Sequence, residues 1–271
     1  MFDLANKTIA ITGAAGLLGR MHAEVIAKFG GNLVLLDIDS FRLSNLASEL
    51  SDKFDVDVFH FALDITNENE IKEVISSLQS MEINLYALIN NASNNPTVTE
   101  ERTEDFSRLE NFPINNWAQD IAVGLTGAFL CSKHFGFLIS KTAKGGVIIN
   151  ISSDLGLIAP DQRLYEQPNL SKEDQPVKPI TYSVIKSGLI GMTRYIATYW
   201  ADKNVRCNAL CPGGVKNNQP KVFLDKVSSR IPLGRLAEKN EYQSSIIWML
   251  SDSSSYLNGA IISVDGGRTT W

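Results

Sequence analysis

Two residue types that anchor many small proteins are scarce in this chain: of 271 residues, three are cysteine and three are histidine. Cys131, Cys207 and Cys211 form an odd, sparse set, which excludes a disulfide framework and points to a reducing compartment. His22, His60 and His134 are scattered, and Cys207 and Cys211 have no further ligands nearby, so no metal-ligand spacing exists. There is no basic run, and the net charge is −5, which disfavours a nucleic-acid or anionic-membrane surface. No uninterrupted apolar run approaches the ~18 residues of a membrane span. The opening MFDLANK has no basic region followed by an apolar segment, so no signal peptide is visible. The expectation is a soluble, cytoplasmic protein with small-molecule partners and no nucleic acid or membrane.

What is present is an apolar fraction of 44%, ample for one substantial core. The chain is organised around residues 7–37. Lys7 to Thr12 is a short apolar run with β-branched residues, and Gly13, Gly16 and Gly19 follow at three-residue spacing. A helical pattern then runs to Gly30, and a second apolar run from Leu33 to Leu36 ends at Asp37. This is a strand, a glycine turn, a helix and a strand, the order of a dinucleotide-binding unit. A pyrophosphate is best received at a helix N-terminus, where backbone N–H groups point outward. Gly13 and Gly16 would let the main chain approach it, and Gly19 would let the helix press onto the strand. Ala15, Leu17 and Leu18 belong to the same turn. Asp37, 18 positions past Gly19, stands where a carboxylate accepts ribose hydroxyls. Glycines alone would serve an empty tight turn equally well; the flanking strands and Asp37 favour the ligand.

Further strands are expected at Val56–Phe61, Leu85–Ile89, Val147–Ile151, Val205–Leu210 and Ala260–Val264. Helical patterns lie between them: Phe41–Lys53, a segment capped by Thr66 or Asn67 that runs to about Met81, Asn116–Ser140, Tyr182–Trp200 and Asn240–Leu250. The strands are solidly apolar, as in a parallel sheet covered on both faces. No linker or composition shift divides residues 1–271, so the expected fold class is α/β, a single doubly wound domain with a mostly parallel seven-stranded sheet. Ligands of such sheets lie at the carboxyl ends of the strands, which makes Gly13, Asp37, Asp64, Asn91, Ser153 and Pro212 the first suspects.

Tyr182 and Lys186 stand at i and i+4 on one helix face. A fixed ammonium one turn away favours the phenolate, and a Tyr so tuned can exchange a proton with an alcohol or carbonyl oxygen while hydride moves. Ser153, at the end of a strand, could hydrogen-bond the same oxygen. Such a Tyr–Lys pair also arises by chance on many helices, and only its company with the dinucleotide unit gives it weight.

From about Lys7 to its end the chain resembles the short-chain dehydrogenase/reductase superfamily, whose domain is a Rossmann fold. The matching features fall in the family's order: the glycine turn, Asp37, Asp64-Ile65, Asn90-Asn91-Ala92, Ser152-Ser153-Asp154-Leu155-Gly156, Tyr182 with Lys186, Asn208 to Val215, and the terminal VDGG. The resemblance implies Tyr182 as general acid/base. Lys186 would hold the nicotinamide ribose and depress the Tyr182 pKa, and Ser153, rather than Ser152, would orient the substrate. It implies that Asp64 and Ile65 flank the adenine and that Asn91, with Ala92, approaches the adenosine ribose. Val215, after Pro212-Gly213, would bind the carboxamide through its backbone amide, with Asn217 beside it in place of the usual Thr. It implies a homotetramer or homodimer built on residues 116–140 and 182–200. Weakly, the insertion pattern resembles members from bacterial surface-sugar pathways.

There are three further departures. The G-x-x-G-x-x-G spacing is more like that of the larger sugar-nucleotide branch, Ser93 replaces the usual glycine after Asn-Asn-Ala, and Gly124 stands where the family usually has a catalytic Asn. Because that Asn acts largely through its backbone carbonyl, the proton relay is expected to survive. Asp37 repels a 2′-phosphate and the turn carries no basic side chain, so NAD is expected over NADP. Residues 93–115 and 157–181 are extended loops at the expected mouth, and 217–231 is expected to be a movable lid. Asp161, Gln162, Arg163, Tyr165, Glu166, Gln167 and Asn169 would suit a polyhydroxylated substrate such as a sugar derivative. The leading expectation is an NAD-dependent enzyme interconverting a secondary alcohol and a ketone. The alternatives are a sugar epimerase or dehydratase with retained NAD, which would yield no net NADH, and a non-catalytic NAD-binding protein, which would bind without turnover.

Overall fold

The alternation of short β-branched runs with amphipathic helices produces one parallel seven-stranded sheet in the order β3-β2-β1-β4-β5-β6-β7. The strands are β1 (Thr8–Thr12), β2 (Asn32–Asp37), β3 (Val58–Ala62), β4 (Leu85–Asn90), β5 (Gly146–Ile151), β6 (Val205–Pro212) and β7 (Ile261–Val264). The structure is a computed structural model and describes residues 2–94 and 107–271; the part of the 93–115 loop between 95 and 106 lies outside the described residues. β1 and β5 are buried along their whole length, whereas the edge strands β3 and β7 are half-exposed, as their positions in the order require.

Helices cover both faces, and the sheet's period of two sorts the side chains between them. Ile9, Ile11, Leu33, Leu35, Ala87 and Ile89 point to one face, against α1 (Leu17–Lys28), α2 (Ser40–Lys53) and, near the chain's end, the helix Gln243–Leu250. Ala10, Val34, Leu36, Leu88 and Ile148 point to the other. There they meet α3 (Glu68–Ser80), the helix Ala128–Ser140 and the helix Ile180–Tyr199. Capping follows the sequence: Asp39 accepts from the Arg42 N–H at the start of α2, and Asn67, rather than Thr66, accepts from the Asn69 N–H at the start of α3.

The helical pattern expected over 116–140 is three pieces: α4 (Ile114–Ile121), a π-helical segment Ala122–Gly127, and α5 (Ala128–Ser140). The apolar stripe continues through the junction, so periodicity gives no sign of the wider turn. Two glycines permit it by letting side chains from elsewhere press close: a Cβ on Gly124 would meet Ile185 Cγ2 at 2.7 Å, and one on Gly127 would meet Ile65 Cδ1 at 2.7 Å. Ile114–Ser140 is long and apolar enough, at mean hydropathy 1.4, to cross a membrane. In the fold it is a core helix, with Leu130, Cys131, Phe135 and Ile139 buried against the sheet. The remaining helices are α6 (Ile180–Tyr199), α7 (Lys221–Ser228) inside the expected lid, and α8 (Gln243–Leu250).

The chain runs outward from β1 to β3, then crosses back to lay β4 beside β1. That reversal opens a crevice at the carboxyl ends of β1 and β4, where an open α/β sheet receives its ligand.

Candidate active site

A cleft of about 1000 Å³ occupies this crevice. Its first wall is the glycine turn. Gly13 has φ +61, and a Cβ there would come 2.8 Å from Ala92 Cα, so position 13 is closed to any side chain. Gly16 has φ −74 and ψ 175, extended backbone open to any residue, so the conformational demand falls on Gly13 alone. Gly19 lies outside the cleft; its Cβ would overlap the Gly13 carbonyl and sit 2.8 Å from Ala14 Cα, so its role is close helix–strand packing. α1 begins at Leu17 with no side-chain cap and no acidic residue in its first turn, and Ala15, Gly16, Leu17 and Leu18 line the cleft. Free N–H groups, a positive dipole end and a glycine cradle together fit a dinucleotide pyrophosphate.

Asp37 ends β2 and faces the turn. One carboxylate oxygen accepts from the Ala15 N–H at 2.9 Å, the other from the Asp39 N–H at 3.1 Å. Thr12 is the tie that the sequence analysis missed: its hydroxyl accepts from the N–H groups of Asn91 (3.0 Å) and Ala92 (3.1 Å). The Asn91 amide donates in return to the carbonyls of Thr12 and Gly13, each at 3.0 Å. The Asn91 side chain is thus spent on holding the turn. Asp64 accepts from the Thr66 N–H and hydroxyl, each at 2.8 Å, which orients the carboxylate beside Ile65 in the cleft. Asn91, Ala92, Pro212, Gly213, Val215 and Asn217 also line the cleft, so of the expected cofactor residues only Gly19 stands back from it.

Ser153, Tyr182 and Lys186 lie on the opposite wall. Ser152 turns away, donating to the Lys186 carbonyl at 2.7 Å, whereas the Ser153 hydroxyl donates to Asp154 Oδ1 at 2.7 Å and faces Tyr182. Lys186 is buried, and its ammonium donates to the Ile151 carbonyl at 2.9 Å. Burial pushes its pKa down to about 8.

The expectation that Lys186 depresses the Tyr182 pKa is corrected. Burial raises the phenol above its ordinary value, the Asp154 charge adds to this, and the Ser153 hydrogen bond opposes it only in part. The Lys186 Nζ is 5.7 Å from the Tyr182 ring centroid and is committed to a backbone carbonyl. Withdrawal of water from the phenolate outweighs a cation at that distance.

Three further charged groups meet at this end, and motif reasoning gives none of them a role. Lys178 Nζ lies 4.1 Å from the Tyr182 ring centroid, over its face. Arg268 and Asp154, both buried, pair at 3.1 Å. Asp154 was visible only as part of a motif's tail. Arg268 lies just after VDGG, and Lys178 lies in an irregular insertion, so neither has a local pattern to signal it.

The expected substrate-facing residues of 157–181 are corrected as well. Asp161 accepts from Arg163 (2.8 Å) and from Arg230 Nε (2.9 Å), Gln162 accepts from the Lys178 N–H (2.8 Å), and the Glu166 carbonyl accepts from Lys226 (2.8 Å). The Gln167 N–H and carbonyl are both taken by Gln175. Arg230 and Lys226 thereby hold the insertion to the segment carrying α7, and the other bonds close within the insertion itself. Asn169 adopts φ +70 at a bend. Of the seven residues named, only Tyr165 lines the cleft. Leu164, Val227, Ile231 and Leu236 form a small core between the two segments, making them one cap with an apolar inner wall.

The family model described as enoyl-(acyl carrier protein) reductase matches residues 13–269. A trans-4-hydroxycyclohexanecarboxylate dehydrogenase from Sinomonas cyclohexanicum is 31% identical over 98% of this chain and 94% of its own. An uncharacterized oxidoreductase from Thermotoga maritima is 29% identical, covering 98% of this chain and 99% of its own. Among solved structures, a short-chain dehydrogenase from Leptospira borgpetersenii with bound NAD+ superposes at TM-score 0.80. It is 27% identical and covers 98% of this chain and 94% of its own.

Proposed function

The chain belongs to the short-chain dehydrogenase/reductase superfamily, and from that premise we propose that it is an NAD(H)-dependent oxidoreductase interconverting a secondary alcohol and a ketone on a small hydroxylated substrate, with Tyr182 as general acid/base. One observation carries this reading: Ser153, Tyr182 and Lys186 face the cleft whose other wall is the Gly13 turn and Asp37.

When bound, the nicotinamide supplies or takes the hydride. The Tyr182 phenol, whose pKa burial raises, gives its proton to the carbonyl oxygen in reduction, leaving the phenolate, and in oxidation the phenolate takes the proton of the alcohol. The Ser153 hydroxyl, which donates to Asp154 Oδ1, would turn its one hydrogen to that oxygen. The Lys186 ammonium, steadied on the Ile151 carbonyl, holds the ribose. Gly124 sits in the π segment with its carbonyl intact, in keeping with a relay that needs only backbone at that position.

Asp37 supports NAD over NADP: a 2′-phosphate would lie against a carboxylate already fixed by two backbone N–H groups. Arg42, the nearby cation in the cleft, pairs with Asp39 at 3.5 Å. The Leptospira relative, solved with NAD+, is in keeping with this, and the Sinomonas relative, named for a hydroxylated acid, supports a hydroxylated substrate. The apolar inner wall of the cap favours a second reading, in which the substrate carries its hydroxyl on an apolar body rather than a sugar. Exposed Phe129 and Phe137 on α5, with Tyr195 and Tyr199 on α6, support self-association through these helices.

The test is turnover of a hydroxylated substrate panel read as nicotinamide absorbance, with fluorescence titration of NADH and NADPH. The expected results are tighter NADH binding and a Tyr182→Phe variant that loses turnover while keeping NADH affinity. A variant that still turns over would overturn the role of Tyr182, and tighter NADPH binding would overturn the cofactor assignment.

A further inference from the structure

The charged residues that line the cleft divide by sign. At the turn end, among the described residues, stand Asp37, Asp39 and Asp64 with Arg42. At the Tyr182 end, again among the described residues, stand Lys178, Lys186 and Arg268 with one carboxylate, Asp154. Asp154 is fully engaged: one oxygen takes the Ser153 hydroxyl and the Leu155 N–H, each within 2.8 Å, and the other takes Arg268 Nε at 3.1 Å. With Lys186 assigned to the ribose under the reading above, two cations and one carboxylate among the described residues line the space left to the substrate.

Arg268 is 6% exposed, lines the cleft, and has its Nη1 buried with no hydrogen-bond partner. A buried guanidinium nitrogen without an acceptor is costly, and a guanidinium fork matches a carboxylate's two oxygens. Lys178 reaches the same end of the cleft from the insertion, over the Tyr182 ring. Burial pushes its pKa down to about 8 against the pull of Asp154, and an anion beside it would favour its charged form.

We propose that Arg268 and Lys178 form a carboxylate subsite beside Tyr182, and that the substrate is a hydroxy acid or its keto counterpart. This rests on the oxidoreductase reading above for the word substrate, but the subsite itself is a statement about anion binding. Lys178 and Arg268 are specificity residues: they fix the acid end so that the carbinol carbon lies under the phenol.

The test is calorimetric binding to the full-length enzyme saturated with NADH, comparing D-gluconate with D-glucitol and 3-hydroxybutyrate with its methyl ester. The acid of at least one pair is expected to bind ~tenfold or more tightly than its neutral partner, with the difference shrinking at high salt. In Lys178→Met the acid-over-neutral ratio falls towards one, and Lys178→Arg restores part of it. Arg268→Lys, which keeps a cation for Asp154, lowers the ratio if Arg268→Gln fails to fold. Equal affinities within both pairs, or an unchanged ratio in both Lys178→Met and Arg268→Lys, would overturn the subsite. Acid-selective binding without turnover of any compound would support the subsite while overturning the oxidoreductase reading.

Discussion

His22 sits in α1, 1% exposed, with neither ring nitrogen hydrogen-bonded. Burial alone pushes its pKa down to about 4. The native state therefore refuses a proton that the unfolded chain accepts from about pH 6.5 downward. The stability contributed by neutral His22 is fully present above pH 6.5 and is lost as pH falls towards 4. The slope is about 1.4 kcal/mol per pH unit, which amounts to about 2 kcal/mol by pH 5 and about 3 kcal/mol over the whole window. His22→Leu removes both the titration and the unpaired nitrogens at nearly constant volume. Guanidinium unfolding of both proteins at pH 7.5 and pH 5, at one fixed protein concentration, measures the difference. Other groups whose pKa values the fold lowers, such as Glu68 and Glu241 at about 2, titrate in both proteins and cancel in the comparison. The variant should be at least as stable at pH 7.5 and should gain about 2 kcal/mol on the wild type on going to pH 5. Parallel stability curves across that interval would refute the account of His22 as a buried, neutral, unpartnered ring.

Three other perturbations test the site. Gly19→Ala forces a methyl group into the Gly13 carbonyl; it should cost about 1–3 kcal/mol of stability and weaken NADH binding, which fluorescence titration reads. Gly124→Asn should destabilise by a similar amount, about 1–3 kcal/mol, because its Cβ would stand 2.7 Å from Ile185 Cγ2. Adding Ile185→Ala should recover part of the loss in a thermal melt, and an unaltered melting temperature for the single variant would contradict the crowding. Asp161→Asn breaks the bond that ties the insertion to Arg230. It should raise KM more than it lowers kcat and open residues 157–181 to limited proteolysis; unchanged cleavage and KM would show that the cap does not depend on this tie.

What was legible in the sequence was what is local. Seven apolar runs and the helical stripes between them specify a parallel sheet, because buried strands must be apolar on both faces. The positive φ at Gly13 and the Asp37 offset follow from spacing within one βαβ unit. Tertiary structure decided what depends on distant segments meeting. Thr12 became the tie for Asn91 only because β4 lies beside β1. The polar insertion turned its hydrogen bonds onto its own fold and the 217–231 segment, because backbone and side-chain polar groups brought together there had to be satisfied. The direction of the Tyr182 shift depended on burial, which i,i+4 spacing cannot report. Residues 154, 178 and 268 gather at one end of one cleft because the carboxyl ends of β5 and β7 and the start of α6 converge there. No chain-local pattern encodes that convergence.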